Sequence, residues 1–114
     1  MAVGLDLDQY QLKNRVLLVF APDPKDVRYE EQRVYLHDET GALDEQRVLV
    51  FGLFEDGPSF AGDRPISHEE AERARVTFGV GEGEFSLQLI GLDGTRVLRS
   101  DEPLPADELI AMMA

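Results

Sequence analysis

Cysteine is absent from this sequence, which excludes disulfide bonds, thiolate catalysis and cysteine-ligated zinc sites together. No apolar run approaches the roughly 20 residues that a membrane-spanning helix needs. Basic residues are few: 11 Lys and Arg stand against 23 Asp and Glu, a formal net charge of -12 at pH 7. Because a field of that sign repels nucleic acid and anionic membrane surfaces, we expect neither nucleic-acid binding nor membrane insertion.

Length and composition predict one domain of modest size. The chain has 114 residues, of which 43% are hydrophobic, an ordinary fraction for a globular protein with a single core. We predict one domain over residues 1–114, with residues 1–12 as a lead-in and residues 55–66 as a long loop. The lead-in lacks the basic start and apolar stretch of a signal peptide. The compartment therefore stays open between the cytoplasm and, if a leader was removed, the periplasm or the exterior.

The first half of the sequence predicts a strand, a helix and a second strand. Continuous apolar runs at residues 15–21 and 47–54 are typical of strands that are buried on both faces. Between them, Asp23 can cap a helix that has Pro24 at its first position and ends near Gly41. Such a βαβ unit has a right-handed crossover and parallel strands.

The second half of the sequence predicts a loop, a helix, a hairpin and a last helix. Glycines and prolines interrupt residues 55–66, and Ser67 with Glu70 forms a capping box for a helix that ends near Phe78. Strands at 85–92 and 95–99 are joined by Asp93–Gly94, a dipeptide typical of two-residue hairpin turns. The last helix is expected to begin near Pro105.

The resulting order is β-α-β-α-β-β-α, which is that of the thioredoxin-like fold. We therefore predict an α/β protein with a four-stranded mixed sheet in the order 4-3-1-2. Strand three is expected to run antiparallel to the others, with helices on both faces of the sheet.

Four segments carry a resemblance to a known family: residues 10–22 (YQLKNRVLLVFAP), 78–80 (FGV), 89–94 (LIGLDG) and 98–103 (LRSDEP). Together they resemble a family of short bacterial domains of unknown function, and a similar domain recurs in animal sushi-repeat and coiled-coil-domain matrix proteins. The resemblance implies a thioredoxin-like or peroxiredoxin-like fold with no established activity. Because related sequences usually continue past the last helix, it also implies that this chain is shortened at residues 112–114.

The turn before the first helix lacks the chemistry of a redox thioredoxin. Asp23 and Asp26 have the spacing of a Cys-x-x-Cys pair, but carboxylates perform no disulfide exchange, and we interpret them as helix-capping residues. The cis-proline of redox thioredoxins would fall near Glu84 or Phe85, where there is no proline, so we expect a trans bond. Thiol oxidoreductase and cysteine-dependent peroxidase activities are thereby excluded.

The two histidines raise the alternative of a metal-dependent binder or enzyme. His37 adjoins Asp38, and His68 lies four residues before Glu72 and can share a helix face with it. There is no His-Glu-x-x-His pattern, and two isolated histidines do not make a ligand shell. We expect no cofactor and no metal site. A carboxylate- or metal-dependent ligand binder or enzyme remains the alternative function.

We predict a non-catalytic domain that acts as a binding or interaction module with an unidentified protein partner. A turn and a loop, 22–26 and 55–66, are the expected contact regions, and strand 47–54 is expected to be a sheet edge at which two copies could pair. The candidate surface comprises residues at these segments and opposite the turn: Pro22, Asp23, Pro24, Asp26, Phe54, Phe60 and Phe85.

Overall fold

Six strands form one mixed sheet in the computed structural model, which describes residue 10 and residues 12–113. The predicted lead-in lies outside the described residues, except for Tyr10 and Leu12. In chain order the elements are β1 (Arg15–Ala21), α1 (Val27–His37), α2 (Thr40–Glu45), β2 (Val48–Phe54), β3 (Ser59–Ala61), β4 (Arg64–Ile66), α3 (His68–Thr77), β5 (Ser86–Ile90), β6 (Arg96–Ser100) and α4 (Ala106–Ala111).

The predicted four-stranded core is confirmed, but the sheet continues beyond it. The observed order is β4-β3-β2-β1-β5-β6, so the predicted order 4-3-1-2 corresponds to β6-β5-β1-β2. Strands β1 and β2 are parallel, whereas β5 runs antiparallel to β1. Strands β3 and β4 are the addition, and they extend the sheet on the far side of β2.

Strand β1 lies at the centre of the sheet and contributes to both halves of the core. Val16, Leu18 and Phe20 pack on the face that also receives Ala71 and Ala74 of α3. Leu17 and Val19 point to the opposite face, which α1 and α4 cover. Because side chains alternate along a strand, a strand covered by helices on both sides must be apolar throughout, as the sequence pattern predicted.

The first helix begins later than predicted and is divided in two. Its N-cap is Asp26, whose carboxylate accepts a hydrogen bond from the Arg28 amide at 2.9 Å. Asp23 instead accepts from the Lys25 amide at 2.8 Å, so Pro24 belongs to a turn that precedes the helix. Gly41, the predicted end, lies inside α2. The single helix predicted over residues 24–40 is therefore wrong at both ends.

The predicted loop 55–66 contains a β-hairpin. Strand β3 pairs with β2 at Phe60 opposite Gly52, and β4 then pairs with β3. The prediction that β2 is an edge strand is wrong, because β3 occupies its outer side. Pairing of two copies through residues 47–54 therefore lacks the free edge that it requires. Strand β4 is the edge, and it is short and contains Pro65, features that discourage pairing with another chain.

The connection between β5 and β6 is longer than predicted. The Gly91 amide donates to the Thr95 carbonyl at 2.9 Å, so five residues join the strands instead of Asp93–Gly94 alone. Of the two predicted turn residues, Asp93 and Gly94, only Gly94 has a positive φ, 84°. The register is also irregular between Leu89 and Ile90, and this irregularity accompanies the wider turn.

Two helix starts were predicted correctly. Ser67 and Glu70 form the reciprocal capping box at the start of α3, and Pro105 is the N-cap residue of α4. On α4, Ala106 and Leu109 are buried.

Candidate functional site: a closed helix start beside an open apolar groove

The turn at the start of α1 is closed by an arginine from the same helix. The Arg28 guanidinium donates to both oxygens of Asp26, at 3.0 Å from Nε and 2.9 Å from Nη2. These hydrogen bonds from Arg28 lower the pKa of the Asp26 carboxyl below its ordinary value. The carboxylate that caps the helix is thus fully engaged within the chain.

Arg28 also connects this turn to the segment before β5. Its Nη2 donates to the Gly83 carbonyl at 3.1 Å, and its guanidinium carbon lies 5.9 Å from the centre of the Phe85 ring. Asp26 and Phe85, both predicted as site residues, therefore meet through Arg28. Phe85 is only 2% exposed, so it supports the arginine from beneath.

A second arginine, from α3, also contacts the segment before β5. Arg75 is buried, and its Nη2 lies 3.4 Å from Glu55 Oε1 and donates to the Gly81 carbonyl at 2.8 Å. The second Glu55 oxygen accepts from the Gly83 amide at 2.8 Å. No local sequence pattern predicts these contacts, because the residues come from the position after β2, from α3 and from a glycine-rich loop. An open cleft of about 460 Å³ lies beside these residues, lined by carboxylates as well as by Arg75.

Three aromatic rings form a continuous cluster on the α1 face of the sheet. The rings of Tyr29 and Phe54 lie edge to face with 4.8 Å between centroids, and Phe60 lies 6.4 Å beyond Phe54. Burial raises the pKa of the Tyr29 hydroxyl. Phe54 is 1% exposed, whereas Phe60 is half-buried and shows part of its ring to solvent.

Phe60 divides an apolar groove, which we call the Phe60 groove, into two cavities. The cavity at the proline end has a volume of about 400 Å³ and is bounded by Pro24, Pro58 and Pro65. The cavity at the helical end has a volume of about 260 Å³ and lies between α1, α2 and β2, against Leu36, Leu43 and Val50. Tyr29 and Phe60 line both cavities. The groove exists because β3 and β4 extend the sheet on the far side of β2.

Gly52 allows Phe60 to lie where it does. A Cβ atom at Gly52 would stand 2.4 Å from Cε1 of Phe60, far inside contact distance. The glycine in the apolar run 47–54 is thus the sequence signal for a close approach from a neighbouring strand.

The structure separates the predicted site residues into two groups. Pro24, Phe54 and Phe60 all line the proline end of the Phe60 groove. Asp26 and Phe85 belong to the closed helix start described above. Asp23 caps the turn, and the Pro22 carbonyl accepts a hydrogen bond from the Asp56 amide at 2.9 Å.

The predicted alternative of a metal centre finds little support in the geometry. His68 Nε2 and Glu72 Oε1 lie 3.8 Å apart as an exposed pair on α3. Over residues 10 and 12–113, no three His, Asp or Glu side chains are grouped so that they could hold a metal ion. Every buried side-chain nitrogen or oxygen in the same residues has a hydrogen-bond partner.

Comparison with known families identifies the chain. A family described as "Domain of unknown function (DUF4174)" matches residues 6–113. The chain belongs to this family. It is also 30% identical over 115 residues to the human Sushi repeat-containing protein SRPX2, and 24% identical over 111 residues to the Xenopus laevis protein of that name. These matches cover 98% and 95% of this chain but only 24% of each relative, so the DUF4174 chain spans about a quarter of their length.

Solved structures similar to this DUF4174 domain confirm the thioredoxin-like fold. A reduced 2-Cys peroxiredoxin of Plasmodium vivax superposes with a TM-score of 0.69 at 14% identity, over 95% of this chain and 80% of that one. The thioredoxin peroxidase I of Plasmodium yoelii gives 0.65 at 18% identity, over 95% and 75%. At these identities the likeness concerns the fold alone. None of the helices described here is long and apolar enough to cross a membrane.

Proposed function

We propose that this DUF4174 domain is a non-catalytic binding module that recognises a partner through the Phe60 groove. The observation that carries the proposal is the contrast between two neighbouring regions. The start of α1 is closed by Arg28, which engages Asp26, Gly83 and Phe85. The groove beside it is open and apolar, with Phe60 half-buried at its centre.

The closed helix start argues against catalysis of the kind named for the structural neighbours. Thiol-dependent reduction of a peroxide or disulfide needs a thiolate, and the chain has no cysteine. Asp26 cannot take the place of the thiolate, because a carboxylate performs neither disulfide exchange nor peroxide reduction. Here it serves instead as the ion-pair partner of the Arg28 guanidinium. We therefore regard the start of α1 as a structural support for the adjacent Phe60 groove.

The family relationship supports a role as one module among several. The human relative is named for its sushi repeats, and this chain matches 24% of its length. A domain of this kind therefore occurs inside a larger chain that also contains other units. Recognition of a partner is a function that such a unit can perform without a reactive group.

Two measurements test the proposal. Purified protein is assayed for disulfide reduction and peroxide consumption beside a cysteine-containing thioredoxin and peroxiredoxin as positive controls. We expect no turnover above the buffer, and turnover would overturn the non-catalytic assignment.

Recognition is tested by selecting binders from a random peptide display library on the immobilised domain and on its Phe60→Ser variant. We expect enrichment of peptides that bind the unaltered domain and not the variant. A library that yields no such peptides would overturn the proposed binding function.

A further inference from the structure

We propose that the Phe60 groove takes an extended peptide segment of another protein, in which apolar side chains alternate with lysine or arginine. The proposal rests on the binding function above and adds the chemistry and conformation of the partner. Three features of the groove lead to it: its apolar lining, its division by Phe60 and the charges on its rim.

The lining suits apolar side chains. Pro58 and Pro65 are exposed, while Pro24, Leu36 and Phe60 are half-buried. Exposed apolar surface of this kind, concave and rimmed by polar residues, is typical of interaction sites. Aromatic and proline side chains offer a large contact area at a low cost in conformational entropy, because few of their torsions must be restricted on binding.

The division of the groove favours an extended ligand. Cavities of about 400 Å³ and about 260 Å³ lie on the two sides of Phe60. In an extended peptide, every second side chain points to the same side, so two alternate apolar residues can occupy the two cavities with the Phe60 ring between them. The intervening side chains then point away from the floor of the groove, towards its rim and the solvent.

Charges on the rim favour a basic ligand. Asp44 lines the helical end and Asp63 the proline end, and no ion pair is recorded for either in the part of the chain that the structure describes. Two arginines also lie on the rim, and both are engaged within the chain. Arg33, at the helical end, is paired with Glu30 at 3.1 Å, and Arg64, at the proline end, donates a hydrogen bond to the Tyr10 hydroxyl at 3.2 Å. With a formal net charge of -12, the field around the groove attracts cations and speeds the association of a basic partner.

The same charge disfavours a second copy of this chain as the occupant. Two copies would bring together chains that each carry a formal net charge of -12, and like charges repel one another. The hairpin edge offers little compensation, because β4 has three residues and one of them is Pro65. A basic partner is attracted by the net charge, and its binding in the groove does not require pairing with the β4 edge.

The test uses three synthetic peptides that share alternating leucines and differ in the intervening residue, which is lysine, serine or glutamate. Binding is measured by fluorescence anisotropy at low and high salt. We expect the lysine peptide to bind at least about tenfold more tightly than the glutamate peptide, with the serine peptide between them. Because salt screens charges, the spread should narrow as the salt concentration rises.

Matched variants locate the binding site and separate the apolar contribution to binding from the electrostatic one. Phe60→Ser should abolish binding of all three peptides, whereas Val76→Asp, at an exposed position on α3, should leave it unchanged. A double variant, Asp44→Asn with Asp63→Asn, should weaken the lysine peptide several-fold and leave the serine peptide unaffected. Circular dichroism and thermal melting establish that each variant is folded, and Pro65→Asp on the exposed edge replaces Phe60→Ser if that variant is not.

Each other outcome overturns the inference in a distinct way. If library selection yields groove-dependent peptides without basic residues, or the three peptides bind equally, the basic partner is wrong while the binding function stands. If binding survives both groove variants, the location is wrong. If light scattering shows a dimer that Phe60→Ser dissociates, the occupant is a second copy of this chain. If neither the library nor the peptides bind, the proposed function fails as well.

Discussion

Gln32 and Leu104, which are 72 positions apart in the sequence, exchange a pair of hydrogen bonds. The Gln32 amide Nε2 donates to the Leu104 carbonyl at 2.9 Å, and the Leu104 amide donates back to Gln32 Oε1 at 2.9 Å. Gln32 is completely buried on α1. Its side chain pairs with the Leu104 backbone in the way that a neighbouring strand would. These two hydrogen bonds hold the segment before α4 against α1.

Gln32→Leu should destabilise the fold by roughly 2 kcal/mol, because it removes both partners of the Leu104 backbone and leaves two polar groups unsatisfied. Urea unfolding measures the loss. Amide hydrogen exchange supplies a local check, since the Leu104 amide should be protected in the unaltered protein and exchange faster in the variant. Equal exchange rates at Leu104 would show that this hydrogen bond does not form in solution.

Gly52→Ala should cost about 2 kcal/mol, because the new methyl group would stand 2.4 Å from Phe60 and must displace its ring. The cost should largely disappear in a Phe60→Ala background, where the clash is absent, and a double-mutant cycle measures this coupling. Gly41→Ala is the matched control. Nothing lies within 4 Å of that added Cβ, and it sits inside α2, so it should stabilise the protein by about 0.5 kcal/mol. Additive effects at Gly52 and Phe60 would contradict the close approach.

Asp26→Asn should destabilise the protein by roughly 0.5 kcal/mol at neutral pH, since asparagine still caps the helix but loses the charge that pairs with Arg28. The folded pKa of Asp26 lies below its ordinary value of 3.8. The stabilisation is therefore complete above pH 3.8 and disappears as the pH falls through the lower, folded pKa. Urea unfolding at pH 7 and at successively lower pH should show the difference between the two proteins shrinking.

The control for that series is Asp101→Asn, at an exposed carboxylate outside the closed helix start. Its effect should be small at every pH. If Asp26→Asn and Asp101→Asn gave the same pH dependence, the ion pair with Arg28 would contribute nothing to stability.

Arg47→Gly should stabilise the protein by about 0.5 kcal/mol. Arg47 follows α2 with a φ of 56°, a left-handed conformation that is strained for any residue with a Cβ and free of strain for glycine. Part of the relief is offset by the larger entropy that glycine loses on folding. Thermal unfolding measures the change, and Arg47→Ala, which keeps the Cβ, should bring no gain. A destabilised Arg47→Gly variant would mean that the side chain contributes more than the strain costs.

Local sequence patterns predicted a structural feature correctly where all the residues that form it lie in one short segment. The capping box at Ser67 and Glu70 involves residues three positions apart, and the apolar run of β1 needs only a covered position in the sheet. The helix starting at Asp26 shows the limit of such patterns. Asp23 and Asp26 are equally suitable caps by residue type. In the structure Asp26 is the one that Arg28 engages, and Arg28 also contacts Gly83, 55 positions away in the sequence.

The candidate binding surface was only partly predictable. Pro24, Phe54 and Phe60 were expected near one another because they border the turn and the loop, and they do line one cavity. The hairpin that carries Phe60 was not expected, because its strands have three residues each and contain Pro65. Such short strands have little local preference and form only because β2 supplies hydrogen-bond partners for β3.

Residue types and their spacing were thus enough to establish the thioredoxin-like core and to exclude thiol chemistry, since burial periodicity and the absence of sulfur are properties of the chain alone. Contacts between distant segments decided the rest: the two added strands, the arginine that closes the first helix and the groove beside it. Their energies come from hydrogen bonds and packing between residues far apart in sequence, which exist only after the sheet has assembled.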